Sequence, residues 1–194
     1  AELSTSIAYF QGTQRTTLSF QITPRLSGSF RYSILEDYLP SGTLYDRSFD
    51  LRYRILDEGK YRPSVAIGLQ DFIGTGAYSG EYVVASKTIT PGLTLTGGIG
   101  WGRFGSFHGF SNPLGALNGS FNTRPSGTTG TGGQIESAKW FRGNAAFFGG
   151  VAWQATPKLT LKAEYSSDAY VEEVSRAGFN RRSPYNFGLD YEIA

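Results

Sequence analysis

Apolar and polar residues alternate one by one through almost every segment of this chain. In SFDLRYRIL, Phe49, Leu51, Tyr53 and Ile55 share one face, and Ser48, Asp50, Arg52 and Arg54 share the other. LTLKAEYS sets Leu159, Leu161, Ala163 and Tyr165 against Thr160, Lys162, Glu164 and Ser166. NFGLDYEI sets Phe187, Leu189, Tyr191 and Ile193 against Asn186, Gly188, Asp190 and Glu192. A period of two belongs to a β-strand with two unlike faces. The alternation recurs in residues 18–22, 30–34, 65–69, 93–101 and 147–153. It is less clean in 7–9 and 82–84, where Tyr82 and Val84 are assigned to the apolar face. No segment carries a 3.6-residue pattern. The expectation is ten strands, essentially no helix, and one domain over residues 1–194.

The connections alternate in length. ITPRLS, ITPGLT and ATPKLT place Pro24, Pro91 and Pro157 in short corners, each with a Leu two residues on that restarts the apolar face. Proline fixes φ and lacks an N–H, so it suits a turn and not a central ladder. Residues 57–63 make a fourth corner of this set. The other set is longer: 39–45, 72–79, 103–142 and 171–184, with only 12–15 tight. Short turns at one end and long loops at the other are the pattern of an antiparallel up-and-down transmembrane β-barrel. Both termini then fall at the short-turn end, which in an outer membrane is periplasmic.

Alternation alone does not say which face is inside. A soluble barrel turns the apolar face in; a membrane barrel turns it out. Here the polar face is mostly small, with Ser27, Ser29, Ser33, Ser64, Ala66, Gly68, Thr94, Thr96 and Gly98. Small residues fit a narrow lumen, whereas a solvated face would carry more Lys and Glu. The polar face is also assigned Arg31, Arg52, Arg54, Lys87 and Lys162 against Asp50, Glu81, Glu164, Asp190 and Glu192. Balanced signs suggest a salt-bridge network closing a filled lumen, unlike a single-sign ion filter.

Composition excludes several functions. With 18 Lys+Arg against 16 Asp+Glu there is no basic excess to bind nucleic acid. There is no Cys, hence no disulfide and no thiolate metal site. Met is also absent and the chain opens Ala1-Glu2, as after removal of an export signal. No run approaches the ~20 apolar residues of a membrane helix, but a membrane strand needs only about 9–11. The lone His108 has no nucleophile in a recognisable setting, and the glycines at 74–76 and 127–133 lack a phosphate-loop ending. The expectation is therefore no enzyme, no catalytic residue, no metal and no cofactor. Asp71, Glu81 and Lys87 flank the IGTGAYSG hairpin, as a carboxylate pair for acid–base chemistry or as a clamp. Asp71 and the loop aromatics Phe104, Phe107, Phe110, Trp140 and Phe141 are candidate loop or glycan contacts. The aromatics would stack on sugar rings or fold over the mouth as a cap.

RYSILEDY, YDRSFDLRYRILDEGKYRPSVAIGLQDFIGTGAYSGEYVVASK and GGIGWGRFGS are specific stretches. Together with WFRG, FFGGVAW, LTLKAEYSSDAY and RSPYNFGLDYEI in the same order, they resemble the YjbH-like outer-membrane proteins encoded with exopolysaccharide genes. Residues 16–106 carry the resemblance densely and 140–193 more loosely. The chain is similar in length to one barrel of such a protein. The resemblance implies an outer-membrane β-barrel of Gram-negative bacteria with a role in production or export of an extracellular polysaccharide, and the expectation is a non-enzymatic component that assists its secretion or assembly. The bilayer, polysaccharide and other products of such loci are its implied partners. A structural anchor or adhesion barrel with partner-binding loops, or a small pore, are the alternatives.

Overall fold

A computed structural model describes residues 2–10, 12–39, 42–127, 134–177 and 180–193. The strands are β1 (Leu3–Phe10), β2 (Thr13–Gln21), β3 (Leu26–Leu39), β4 (Gly42–Leu56), β5 (Ser64–Gly74), β6 (Gly80–Thr90), β7 (Leu93–Gly102), β8 (Gln134–Ile135), β9 (Ala145–Thr156), β10 (Leu159–Tyr165) and β11 (Tyr185–Tyr191). All pairings are antiparallel, in chain order from β1 to β11, with the short β8 set aside on β5. The ten long strands match the alternation. The ladder among the described residues does not join β1 to β11, so the closed barrel expected from the sequence is not completed by backbone pairing. A short helix α1 (Val171–Ala177) and four 3-10 turns between 103 and 139 depart from the expectation of no helix. All five lie in the long connections, where no alternation holds the chain extended.

The three Thr-Pro corners make tight hairpins between β2 and β3, β6 and β7, and β9 and β10. At the first, Thr23 and Leu26 exchange backbone hydrogen bonds across Pro24-Arg25. At the second, Gly92 takes φ 82°, which a residue with a Cβ rarely adopts. This end is dressed with charge: Asp57 pairs with Arg25 at 2.6 Å and with Arg54 at 2.9 Å, and Glu58 pairs with Lys87 at 2.7 Å.

The register settles which face is which. Ser29, Arg31 and Ser33 lie opposite Asp50, Ser48 and Asp46. Ser33, Ser48 and Asp46 are wholly buried and Arg31 nearly so. On the other face Leu3, Ile7, Phe147, Leu189 and Phe187 stand in the open, Phe187 at 84% exposure. In β3 to β5 the covered side of the sheet is thus polar and the uncovered side apolar, the reverse of a soluble domain, whereas β1 and β11 are exposed on both faces. The polar side encloses two hollows, of about 350 Å³ and 650 Å³, which meet at Tyr82. The polar side is therefore not packed solid, because its Ser, Thr and Gly are small.

β6 departs from the sequence reading. Tyr82 lies opposite Gly68 and Gly100, and Val84 opposite Ala66 and Gly98, so both turn to the polar side. Glu81 and Lys87 lie opposite Trp101 and Leu95 and belong to the outer face, not to the luminal network. Glycine makes the reversal possible: a Cβ on Gly68 would sit 2.2 Å from the Tyr82 ring. Next to it β5 bulges. Leu69 faces Leu51 but Ile73 faces Phe49, so β5 has two more residues than β4 there. Asp71 takes φ 53° in this bulge and is buried. A Cβ on Gly74 would meet the Asp71 carboxylate at 1.7 Å. Gly68→Ala should therefore lower stability by ~1–3 kcal/mol through overpacking. In denaturant titration, Gly68→Ala combined with Tyr82→Ala should cost less than the two single changes summed.

Candidate functional site

The long connections gather at one end, and there the chain builds a second layer of structure. Glu81 is buried at the start of β6 beneath the 103–142 loop. Arg124 clamps it with Nη1 at 2.7 Å and Nη2 at 3.0 Å, and the Phe141 amide donates to it at 2.9 Å. A planar guanidinium fork suits such a two-point grip. Beside it the Trp101 indole donates to Asn112 at 3.0 Å, while Phe141 packs edge-on against Trp101 at 5.2 Å. Asn112 in turn donates to the Phe121 and Phe141 carbonyls, both at 2.8 Å. The 103–142 loop is thus pinned to the outer face of β6 and β7. Residues 128–133, most of its glycine run, lie outside the described residues.

On the polar side Arg103 joins the loops to one another. Its guanidinium donates to Asp168 and, at 2.8 Å, to Glu173 on α1. Burial lowers the Arg103 pKa, but the two carboxylates more than reverse this and hold it above its ordinary value. Burial pushes Asp168 up against the pull of Arg103. A guanidinium is not deprotonated in proteins, so Arg103 stays charged. Tyr78, from the β5–β6 hairpin, lies buried among cations: Arg15 and Arg103 are each 5.1 Å from its ring centre and Arg31 is 5.7 Å away.

The residues singled out in the sequence are dispersed. Asp71 receives the Tyr78 amide at 3.1 Å and gives its own amide to Asp50 at 2.8 Å. Asp71, Glu81 and Lys87 each have separate partners and do not come together. Phe104 packs on the polar side against Tyr82 and Phe148 at 5.6 and 6.2 Å. Phe110 lies on the outer side against Phe147 at 4.8 Å. Phe107 stacks on His108 at 3.9 Å and carries the Arg181 guanidinium 3.6 Å above its ring. His108 reaches the Tyr165 hydroxyl at 3.0 Å. Phe141 belongs to the loop clamp, and half-buried Trp140 precedes it. The aromatics pack at separate places and do not line one sugar-binding strip. Of the charges assigned to the polar side, Arg31 pairs with Asp50 at 3.3 Å and Lys162 with Asp190, while Glu164 accepts from Asn186 at 2.8 Å. Arg52 lines the smaller hollow, Arg54 reaches the Pro24 carbonyl at 2.7 Å, and Glu192 lies past the end of β11. These are local pairs and not one network.

Arg124, Arg103, Asp168, Glu173 and Tyr78 escaped the sequence reading. Arg103 and Asp168 are 65 positions apart, and nothing in their spacing joins them.

An all-β antiparallel sheet with its polar face covered, its apolar face bare and its long loops folded at one end defines the class of this protein. The chain belongs to the YjbH family: the family model described as "Exopolysaccharide biosynthesis protein YbjH" matches residues 1–194. It is 34% identical over 185 residues to the "Uncharacterized lipoprotein YjbH" of Escherichia coli K12, covering 90% of this chain and 26% of that protein. The chain thus spans about a quarter of the length of the curated relative it matches. No solved structure matches it.

Removing one partner of a buried ion pair leaves the other charge stranded, at a cost of ~3–5 kcal/mol. Glu81→Ala should show this in denaturant titration and should make the 103–142 loop more sensitive to limited proteolysis. At the opposite end, hydrogen bonds from the Lys87 ammonium and the Thr88 amide hold Glu58 below its ordinary pKa. Lys87→Met should let Glu58 titrate at higher pH by NMR; an unmoved titration would mean the pair is not formed in solution.

Proposed function

We propose that this chain is a β-barrel domain of the bacterial outer membrane and a non-enzymatic component in the secretion or assembly of exopolysaccharide. Its charged short-turn end would face the periplasm and its looped end the outside. One observation carries the membrane reading: the uncovered face of the sheet is apolar and the covered face polar. Phe49 and Leu95 stand on the open face, at 39% and 45% exposure, with the buried Ser48 and the half-buried Thr96 turned the other way. Water penalises such an arrangement and hydrocarbon rewards it. The turn dressing fits too, since Asp57, Glu58 and Arg25 sit beyond the strands where a headgroup layer would solvate them.

The polysaccharide role rests on the family's description and is offered for this chain by kinship. The loop end suits it as a place where a glycan could be met, because the loops there are folded and pinned.

Gly97→Arg and Thr96→Arg, one position apart in the middle of β7, separate the readings, since Gly97 lies on the Leu95 face with open space before it. A lipid-facing arginine costs ~2–4 kcal/mol near the midplane, whereas lumen positions are more tolerant. Gly97→Arg should abolish the heat-modifiable gel shift in detergent while Thr96→Arg keeps it. A protein that stays soluble without detergent, with Gly97→Arg harmless, sinks the membrane reading. For the polysaccharide role, residues 103–142 would be replaced by a short linker in the native host. Loss of surface polysaccharide with the gel shift retained is expected. Undiminished polysaccharide would leave a plain anchor.

A further inference from the structure

A cavity of about 470 Å³ opens where the first and last strands approach each other at the looped end, with Ala8 of β1 on one wall and Asn186 of β11 on the other. Its other walls carry Arg15, Arg181 and Arg182 with Tyr78, Tyr170 and Glu173. Three cations face one carboxylate, and that carboxylate is engaged by Arg103 at 2.8 Å. No ion pair among the described residues includes Arg15, Arg181 or Arg182. Arg15 has only a long 3.4 Å hydrogen bond to Ser33 besides its ring contact with Tyr78. Arg181 gives Nη2 to the Ser166 carbonyl at 3.1 Å.

Two polar atoms of this wall are buried with no hydrogen-bond partner among the described residues: the donor Arg181 Nε and the acceptor Glu173 Oε2. Buried polar atoms are nearly always satisfied, and each exception needs a reason. A ligand that carries both an anionic acceptor and a hydroxyl donor matches the charges that this wall presents. Tyr185, also on the cavity wall and 60% exposed, suits the apolar face of a pyranose. The volume lies in the range of small-molecule sites and would hold one or two sugar rings.

We propose that this cavity binds an acidic saccharide. Arg15, Arg181 and Arg182 take the carboxylate, and the Glu173 carboxylate accepts from a ring hydroxyl. The proposal deepens the polysaccharide role inferred above by naming the charge class of the glycan. It does not depend on the membrane reading.

The test uses the purified 194-residue chain in detergent at ~0.15 M salt, where surface attraction is screened beyond about 8 Å. Trigalacturonate, its fully methyl-esterified form and inorganic phosphate are titrated by calorimetry. Trigalacturonate should bind, the methyl ester should not, and phosphate should fail to displace the sugar at equal concentration. Arg182 is exposed, so Arg182→Gln should fold normally and bind about tenfold more weakly, as loss of a charged hydrogen bond implies. Arg15→Gln, where folded, should do the same. Absent binding, equal binding of the methyl ester, displacement by phosphate, or an unchanged affinity in Arg182→Gln would each overturn the proposal. Polysaccharide loss on loop replacement is scored separately, so the two readings fail independently.

Discussion

Asp50 accepts hydrogen bonds from Ser29 and Arg31 on β3 and from the Asp71 amide on β5. A carboxylate tied to strands on both sides fixes the register of β4, and register fixes which residues face inward. A slip of one residue would turn every side chain over. With Asp50, Ser48 and Asp46 committed inward, Phe49, Tyr53 and Ile55 are committed outward. The bare apolar face is thus a consequence of where the charges find their partners.

The same logic explains why one strand runs against its apparent pattern. Tyr82 and Val84 look like outer-face residues by hydropathy, yet the glycines at 68, 98 and 100 leave an inner trough that a tyrosine can fill. Glu81 and Lys87 are then carried to the outer face, a poor place for charge in a lipid-facing sheet. Both lie near strand ends and both are neutralised, Glu81 by Arg124 under the loop and Lys87 by Glu58 in a turn. The middle of the strand presents Val83 and Ala85 instead.

At the looped end the chemistry is cationic and aromatic. Arg15 and Arg31 come from neighbouring strands and Arg103 from the start of the long loop, and all three crowd Tyr78. Asp168 and Glu173 absorb Arg103, which leaves the seam between β1 and β11 with positive charge facing its cavity. That asymmetry sits inside a chain whose total is only 18 Lys+Arg to 16 Asp+Glu, so it arises from placement and not from composition.

Strand content, the Thr-Pro hairpins, the end at which the loops gather and the kinship with YjbH were all legible in the sequence. Each depends on local periodicity, on proline geometry or on runs of matching residues. The facing of β6 was not legible, because it depends on glycines in two other strands. Nor were the Arg124–Glu81 clamp and the Arg103 contacts, whose partners stand 43 to 70 residues apart, or the cationic seam, whose Arg15 and Arg181 come from the two ends of the chain. Alternation determines that a strand has two faces; only the assembled sheet, with its register and its loops folded back, decides which charges meet and which are left for a ligand.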